Sequence, residues 1–170
     1  MSLNRKIKVL IVDDSLVFRE ILAKGISSDP DIEVVAKASD PFEARDKILE
    51  YNPDVMTCDI EMPKMNGIEF IKRLLPQYPL PVVVVSAISS KVFDALNAGA
   101  VDFATKPDIT RQGGLESFIN ELIIKIKIAF NAKVGSNKSS SIVRPSTNGT
   151  TVGNGCDIIA IGASTGGTEA

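Results

Sequence analysis

The sequence contains no histidine and no tryptophan. Without histidine, the commonest general base and the commonest zinc ligand are both missing. Aromatic residues make up only 5% of the chain, and the longest apolar run, Pro81 to Ala87, is far too short to span a bilayer. Near the N-terminus Arg5, Lys6 and Lys8 lead into Val9-Leu10-Ile11-Val12, but Asp13 and Asp14 stop that run too early for a signal peptide. The two cysteines, Cys58 and Cys156, stand in unrelated contexts and suggest free thiols in a reducing, cytoplasmic setting. Net charge is −2, and no basic stripe points to nucleic acid. What remains is a 170-residue chain with 44% hydrophobic residues, enough for one ordinary domain and a tail.

Short apolar runs alternate with amphipathic ones. Ile7 to Val12 reads as a buried strand, and Ser15 caps a helix carrying Phe18, Ile21, Leu22, Gly25 and Ile26. After the turn at Asp29-Pro30-Asp31, Ile32 to Ala36 is a second strand. Asp40-Pro41-Phe42-Glu43 combines a cap, proline at the first helical position and a capping-box glutamate. That helix ends near Tyr51, before Asn52-Pro53. Val55 to Cys58, Pro81 to Ser86 and Val101 to Thr105 read as three further strands, with helices near Ile68 to Leu75 and Lys91 to Ala98. Leu115, Phe118, Ile119, Leu122, Ile123 and Ile126 form the clearest amphipathic stripe. Five alternations with nearly continuous apolar strands predict a parallel sheet with helices on both faces, an α/β doubly wound fold. Right-handed crossovers then bring all strand C-termini to one edge, where open α/β sheets hold their ligands.

At that edge the sequence places Asp13-Asp14, Asp59, Ser86 and Lys106. Each has a plain structural role. Asp13-Asp14 could cap a helix, Asp59 could start a turn, Ser86 could end a strand, and Lys106 could be a solvated charge. Together they suggest chemistry, because three carboxylates repel one another unless a cation joins them. Oxygen ligands without histidine or cysteine favour Mg²⁺. An aspartate bound to such a cation beside a lysine can accept a phosphoryl group. Lys106 would offset the charge on the transferring oxygens, and the Ser86 hydroxyl would bond one of them.

The acid pair, Asp59 in Cys-Asp-Ile-Glu-Met-Pro, Asn66-Gly67, Ser86-Ala87 and Lys106-Pro107 resemble the motifs of a two-component response-regulator receiver domain over roughly the first 130 residues. The resemblance implies a flavodoxin-like strand order 2-1-3-4-5, with Asp59 phosphorylated by a histidine kinase. It implies direct Mg²⁺ ligation by Asp14, Asp59 and the Glu61 carbonyl, with Asp13 acting through water. Lys106-Pro107 would be a cis peptide, and the switch pair would be Ser86 and Phe103, the latter lacking the hydroxyl of a tyrosine.

Residues 131–155 are rich in Ser, Thr, Asn and Gly and contain no acid, which predicts a flexible linker after a domain at 1–130. Such a coil would span roughly 27 Å on average. Asp157 to Ile161 then starts a strand, followed by Gly162-Ala163-Ser164-Thr165-Gly166-Gly167. By itself this is an ordinary Gly-rich turn, a phosphate cradle or a nucleophile elbow. In its context it resembles the chemotaxis protein-glutamate methylesterases, the CheB family, with residues 156–170 opening the catalytic domain and Ser164 as nucleophile. That resemblance implies an esterase and glutamine deamidase gated by the receiver, acting on methylated chemoreceptors. The partners it implies are a chemotaxis histidine kinase, those receptors and the catalytic domain itself, with no nucleic acid and no membrane insertion. The catalytic histidine and aspartate are absent from this chain, so the 170-residue polypeptide is expected to be inactive as an esterase. The alternative is a stand-alone receiver acting by phosphorylation-dependent binding. A flavodoxin-like electron carrier fits less well, because two acids after the first strand would repel a flavin phosphate. A haloacid-dehalogenase-type phosphatase needs Asp-x-Asp there.

Overall fold

A hydrogen-bonded sheet of five parallel strands runs through the computed structural model, in the order β2-β1-β3-β4-β5. The structure describes residues 5–139. The strands are β1 (Ile7–Val12), β2 (Ile32–Ala38), β3 (Val55–Cys58), β4 (Val82–Ser86) and β5 (Asp102–Thr105), and the helices α1 (Leu16–Ile26), α2 (Pro41–Tyr51), α3 (Gly67–Leu74), α4 (Val92–Asn97) and α5 (Gly114–Ser139). A 3-10 turn, Ser89–Lys91, leads into α4. This is the expected doubly wound order.

Alternation along each strand decides which helices pack where. Val9, Ile11, Val55, Val83, Val85 and Ala104 join Phe18, Leu22, Phe118 and Leu122 of α1 and α5. Leu10, Val12, Met56, Cys58, Val82 and Val84 join Ile48, Phe70, Ile71 and Ala95 of α2, α3 and α4. Burying each such Val, Ile or Leu side chain contributes about 1.5–3 kcal/mol at most. Two filled faces explain why the strands are nearly uniformly apolar. Close approach of α1 to α5 depends on Gly25, where a Cβ would lie 2.6 Å from Ile119 Cδ1.

Local signals act as the sequence suggests. Ser15 Oγ accepts from Phe18 N–H at 3.2 Å, and Asp40 Oδ1 accepts from Glu43 N–H at 2.9 Å. Glu43 reaches back to Ser39, not to the cap itself: its Oε2 accepts from Ser39 N–H at 2.8 Å. Lys47 Nζ donates to the other oxygen, Glu43 Oε1, at 2.7 Å. These hydrogen bonds, that of Lys47 foremost, lower the Glu43 carboxyl to about 2. Asn52 adopts a left-handed φ of 47° and closes α2.

Two expectations need correction. The helix α5 runs to Ser139, so residues 131–139, assigned above to the linker, continue the domain's last helix. Ala129 is buried and carries the apolar stripe past Ile126, and no proline breaks the helix there. In addition, no peptide bond among the described residues is cis, so Lys106-Pro107 is trans. Trans is the intrinsically preferred form even before proline. The rest of the expected linker, the strand at 157–161, Cys156 and Ser164 lie outside the described residues. No helix among the described residues is long and apolar enough to cross a membrane.

Candidate functional site

β1 and β3 lie side by side with Val12 opposite Cys58, so the residues that follow them emerge together. Asp59 N–H donates to Val12 O at 2.9 Å, and Asp13 N–H donates to Ala38 O at 3.0 Å. Across the sheet, Lys106 N–H donates to Ser86 O at 3.0 Å. These main-chain bonds fix the starting points of four side chains at the carboxyl edge.

Asp13 and Asp59 are buried and Asp14 is exposed, yet each offers a carboxylate oxygen within 4.8 Å of the others. The Lys106 ammonium lies 2.7 Å from Asp13 Oδ2 and 2.9 Å from Asp59 Oδ2. Its directed hydrogen bond goes to Asp59. Asp13 Oδ2 has the charge nearby but receives no hydrogen bond. Asp13 Oδ1 accepts from Ser15 N–H at 2.8 Å, and Arg19 Nη1 donates to the Asp13 carbonyl at 2.6 Å. Glu61 sends its N–H to Asp59 Oδ1 at 3.2 Å, while its side chain points to solvent.

Burial pushes the Asp59 carboxyl above its ordinary value. The hydrogen bond and charge of Lys106 oppose that shift, and the like charge of Asp13 adds to it. Burial alone would lower the Lys106 ammonium, but its contacts with both carboxylates outweigh that and hold it raised. Lys106 therefore stays a cation. One ammonium facing a cluster of carboxylates leaves the edge short of positive charge. Hard oxygen donors, two of them on buried carboxylates, and an exposed third acid fit Mg²⁺. Cys58, one residue before Asp59, is no rival ligand, since burial raises its thiol well above the ordinary range.

Ser86 is fully buried, and its Oγ accepts from Ile88 N–H at 3.2 Å. That leaves its own O–H free to donate. Phe103 is not at the edge. It sits in the core cluster beneath α2, α3 and α4, and its carbonyl accepts from Lys125 Nζ at 2.6 Å. The structure thus brings together Asp13, Asp14, Asp59 and Lys106, sets Ser86 beside the Lys106 backbone and leaves Phe103 inside. An apolar groove of about 390 Å³ opens between α2 and α3, lined by Phe42, Leu49, Phe70 and Tyr78 among others, and none of the edge residues lines it.

Two neighbours of the site carry no chemical motif in the sequence. Arg19 and Phe18 follow the Ser15 cap by one helical turn, and that position was the available signal. Asn66-Gly67 has a steric explanation. A Cβ on Gly67 would lie 2.0 Å from the Asp59 carbonyl oxygen, which is main chain and cannot step aside cheaply. Gly67→Ala should therefore destabilise the fold by about 2–3 kcal/mol, an overpacking cost, and displace Asp59. Urea denaturation of the variant checks this, and an unchanged midpoint would contradict it.

Residues 9–112 match the response regulator receiver domain family. The chain belongs to that family. The receiver domain is 43% identical to the response regulator domain of Thermotoga maritima CheB, with a TM-score of 0.69, covering 75% of this chain and 98% of that one. It also resembles the chemotaxis response regulator CheY4 of Vibrio cholerae, at 25% identity, a TM-score of 0.60, and coverage of 71% and 98%. Among curated relatives, a protein-glutamate methylesterase/protein-glutamine glutaminase 2 of Syntrophomonas wolfei is 61% identical, over 98% of this chain and 48% of the relative. A protein-glutamate methylesterase/protein-glutamine glutaminase of Syntrophotalea carbinolica is 49% identical, over 98% of this chain and 50% of the relative. The chain spans about half the length of the curated relatives it matches.

Proposed function

We propose that Asp59 accepts a phosphoryl group in a Mg²⁺-dependent reaction, and that this phosphorylation controls a protein-glutamate methylesterase and glutamine deamidase in chemotaxis. The observation that carries the reading is the buried Asp59 carboxylate, hydrogen-bonded by Lys106 and flanked by Asp13 and Asp14. A carboxylate oxygen of Asp59 attacks phosphorus. The bond from phosphorus to the donor's leaving group breaks, and the leaving group keeps the electron pair. Lys106 stays protonated throughout and balances charge on the transferring oxygens. Ser86 turns its free O–H toward one of them.

Asp14, Asp59 and the Glu61 carbonyl would hold Mg²⁺ directly, with Asp13 acting through water. Bound there, the ion supplies positive charge to the phosphoryl oxygens. Phosphorylation would be read out through Ser86 and Phe103. The phosphodonor would be a chemotaxis histidine kinase. Ser164 would serve as the nucleophile of the esterase, and methylated chemoreceptor glutamates would be its substrates. The setting would be the cytoplasm.

Metal removal tests the acceptor half. With a small acyl phosphate and Mg²⁺, the chain should take up one phosphoryl group. Excess EDTA should stop uptake, and Mn²⁺ should restore it. Asp14→Asn should weaken the cation dependence without removing the acceptor. Undiminished uptake in EDTA would contradict the proposed metal role.

A further inference from the structure

The Lys106 side chain is long and flexible, and holding it in one geometry carries an entropic cost. Its two carboxylate partners, Asp13 and Asp59, are themselves part of the reacting site. Asp59 becomes bonded to phosphorus in the proposed transfer, and Asp13 belongs to the acid cluster that would hold the metal. A third contact is independent of both. The Lys106 ammonium lies 4.5 Å from the centroid of the Phe18 ring. That ring is itself fixed. Phe18 is 8% exposed, and its ring stands 6.0 Å from that of Phe118 on α5, tilted by 46°.

Packing alone does not call for an aromatic here. The same buried face of α1 is filled by Leu22 and Ile26. Leucine would fill much of the space at position 18 but would not attract an ammonium. The negative face of an aromatic ring does, most strongly where water is largely excluded. The Lys106 side chain is 17% exposed, so the contact is largely dry. An ammonium has three N–H donors, so a contact on one side leaves others for the carboxylates and an incoming phosphoryl oxygen.

We propose that Phe18 is a positioning residue for phosphoryl transfer: its ring face holds the Lys106 ammonium beside Asp59 and so sets the rate of transfer. This rests on the reading of Asp59 as acceptor. The test replaces Phe18 with leucine and, separately, with progressively fluorinated phenylalanines, which keep the shape while draining the ring's negative face. The rate of phosphoryl uptake from a small acyl phosphate should fall about 5- to 30-fold in Phe18→Leu. It should fall stepwise with fluorination, while the concentration of Mg²⁺ giving half-maximal rate stays the same. Fluorination that leaves the rate unchanged would overturn the proposal, whatever leucine does to folding.

A second readout needs no phosphodonor. By NMR, the Lys106 ε-methylene protons should show an upfield ring-current shift in the wild type that is lost in Phe18→Leu. Absence of that shift in the wild type would overturn the contact itself. If the wild type takes up no phosphoryl group, the acceptor reading fails and the rate claim falls with it, whereas the ring-current shift reports the contact separately.

Discussion

Asp59→Asn should take up no phosphoryl group under conditions that label the wild-type chain. The amide has nearly the shape of the carboxylate, so the end of β3 and its bond to Val12 stay in place. What disappears is the anionic oxygen that attacks phosphorus, and with it the charge that orients Lys106 at 2.9 Å. No other carboxylate is placed to substitute. Asp13 is buried with one oxygen tied to Ser15, and Asp14 is exposed. The variant should stay folded, with its melting temperature equal or higher in chelator. A buried anion beside the like charge of Asp13 is replaced by a neutral group. Lost labelling in a protein that melts normally separates chemistry from collapse, and a labelled Asp59→Asn would mean the acceptor is elsewhere.

The polypeptide of these 170 residues should release no methanol from methylated chemoreceptor, phosphorylated or not. A serine hydroxyl needs a positioned base to become a nucleophile at neutral pH, and this sequence has no histidine to supply one. Loss of triad members typically costs about 10⁴- to 10⁶-fold in kcat. A protein extended to the full length of the Syntrophomonas wolfei relative should turn over, faster after phosphorylation, and Ser164→Ala should abolish that turnover. Turnover by the 170-residue chain that vanishes in Ser164→Ala would place the base within these residues and contradict the assignment.

The strand order was legible because each strand is short, apolar and bounded by Pro, Gly, Asn or Asp, leaving few topologies once crossovers are right-handed. Asp13, Asp14, Asp59 and Lys106 were legible for the same reason: each lies within two residues of a strand's carboxyl end. Other features depend on what packs against a residue. Phe18 has the spacing of an ordinary core position, and nothing in its own helix shows that a lysine just past the end of a distant strand lies over its ring. The end of α5 is hard to read in the sequence because residues 131–139 are mostly polar, whereas the helix is carried there by Ala129 and the stripe before it. Phe103 matches a switch position by motif, yet its burial under α4 follows from which way β5 presents alternate residues.

The most direct measurement is to locate the phosphoryl group on the protein. Treating the phosphorylated chain with borohydride reduces an acyl phosphate on aspartate to homoserine, and peptide mass spectrometry then reads the modified residue. The account predicts homoserine at position 59, dependent on Mg²⁺ and absent in Asp59→Asn. Homoserine at position 13 or 14 instead, or phosphate that survives on a serine or threonine, would contradict it.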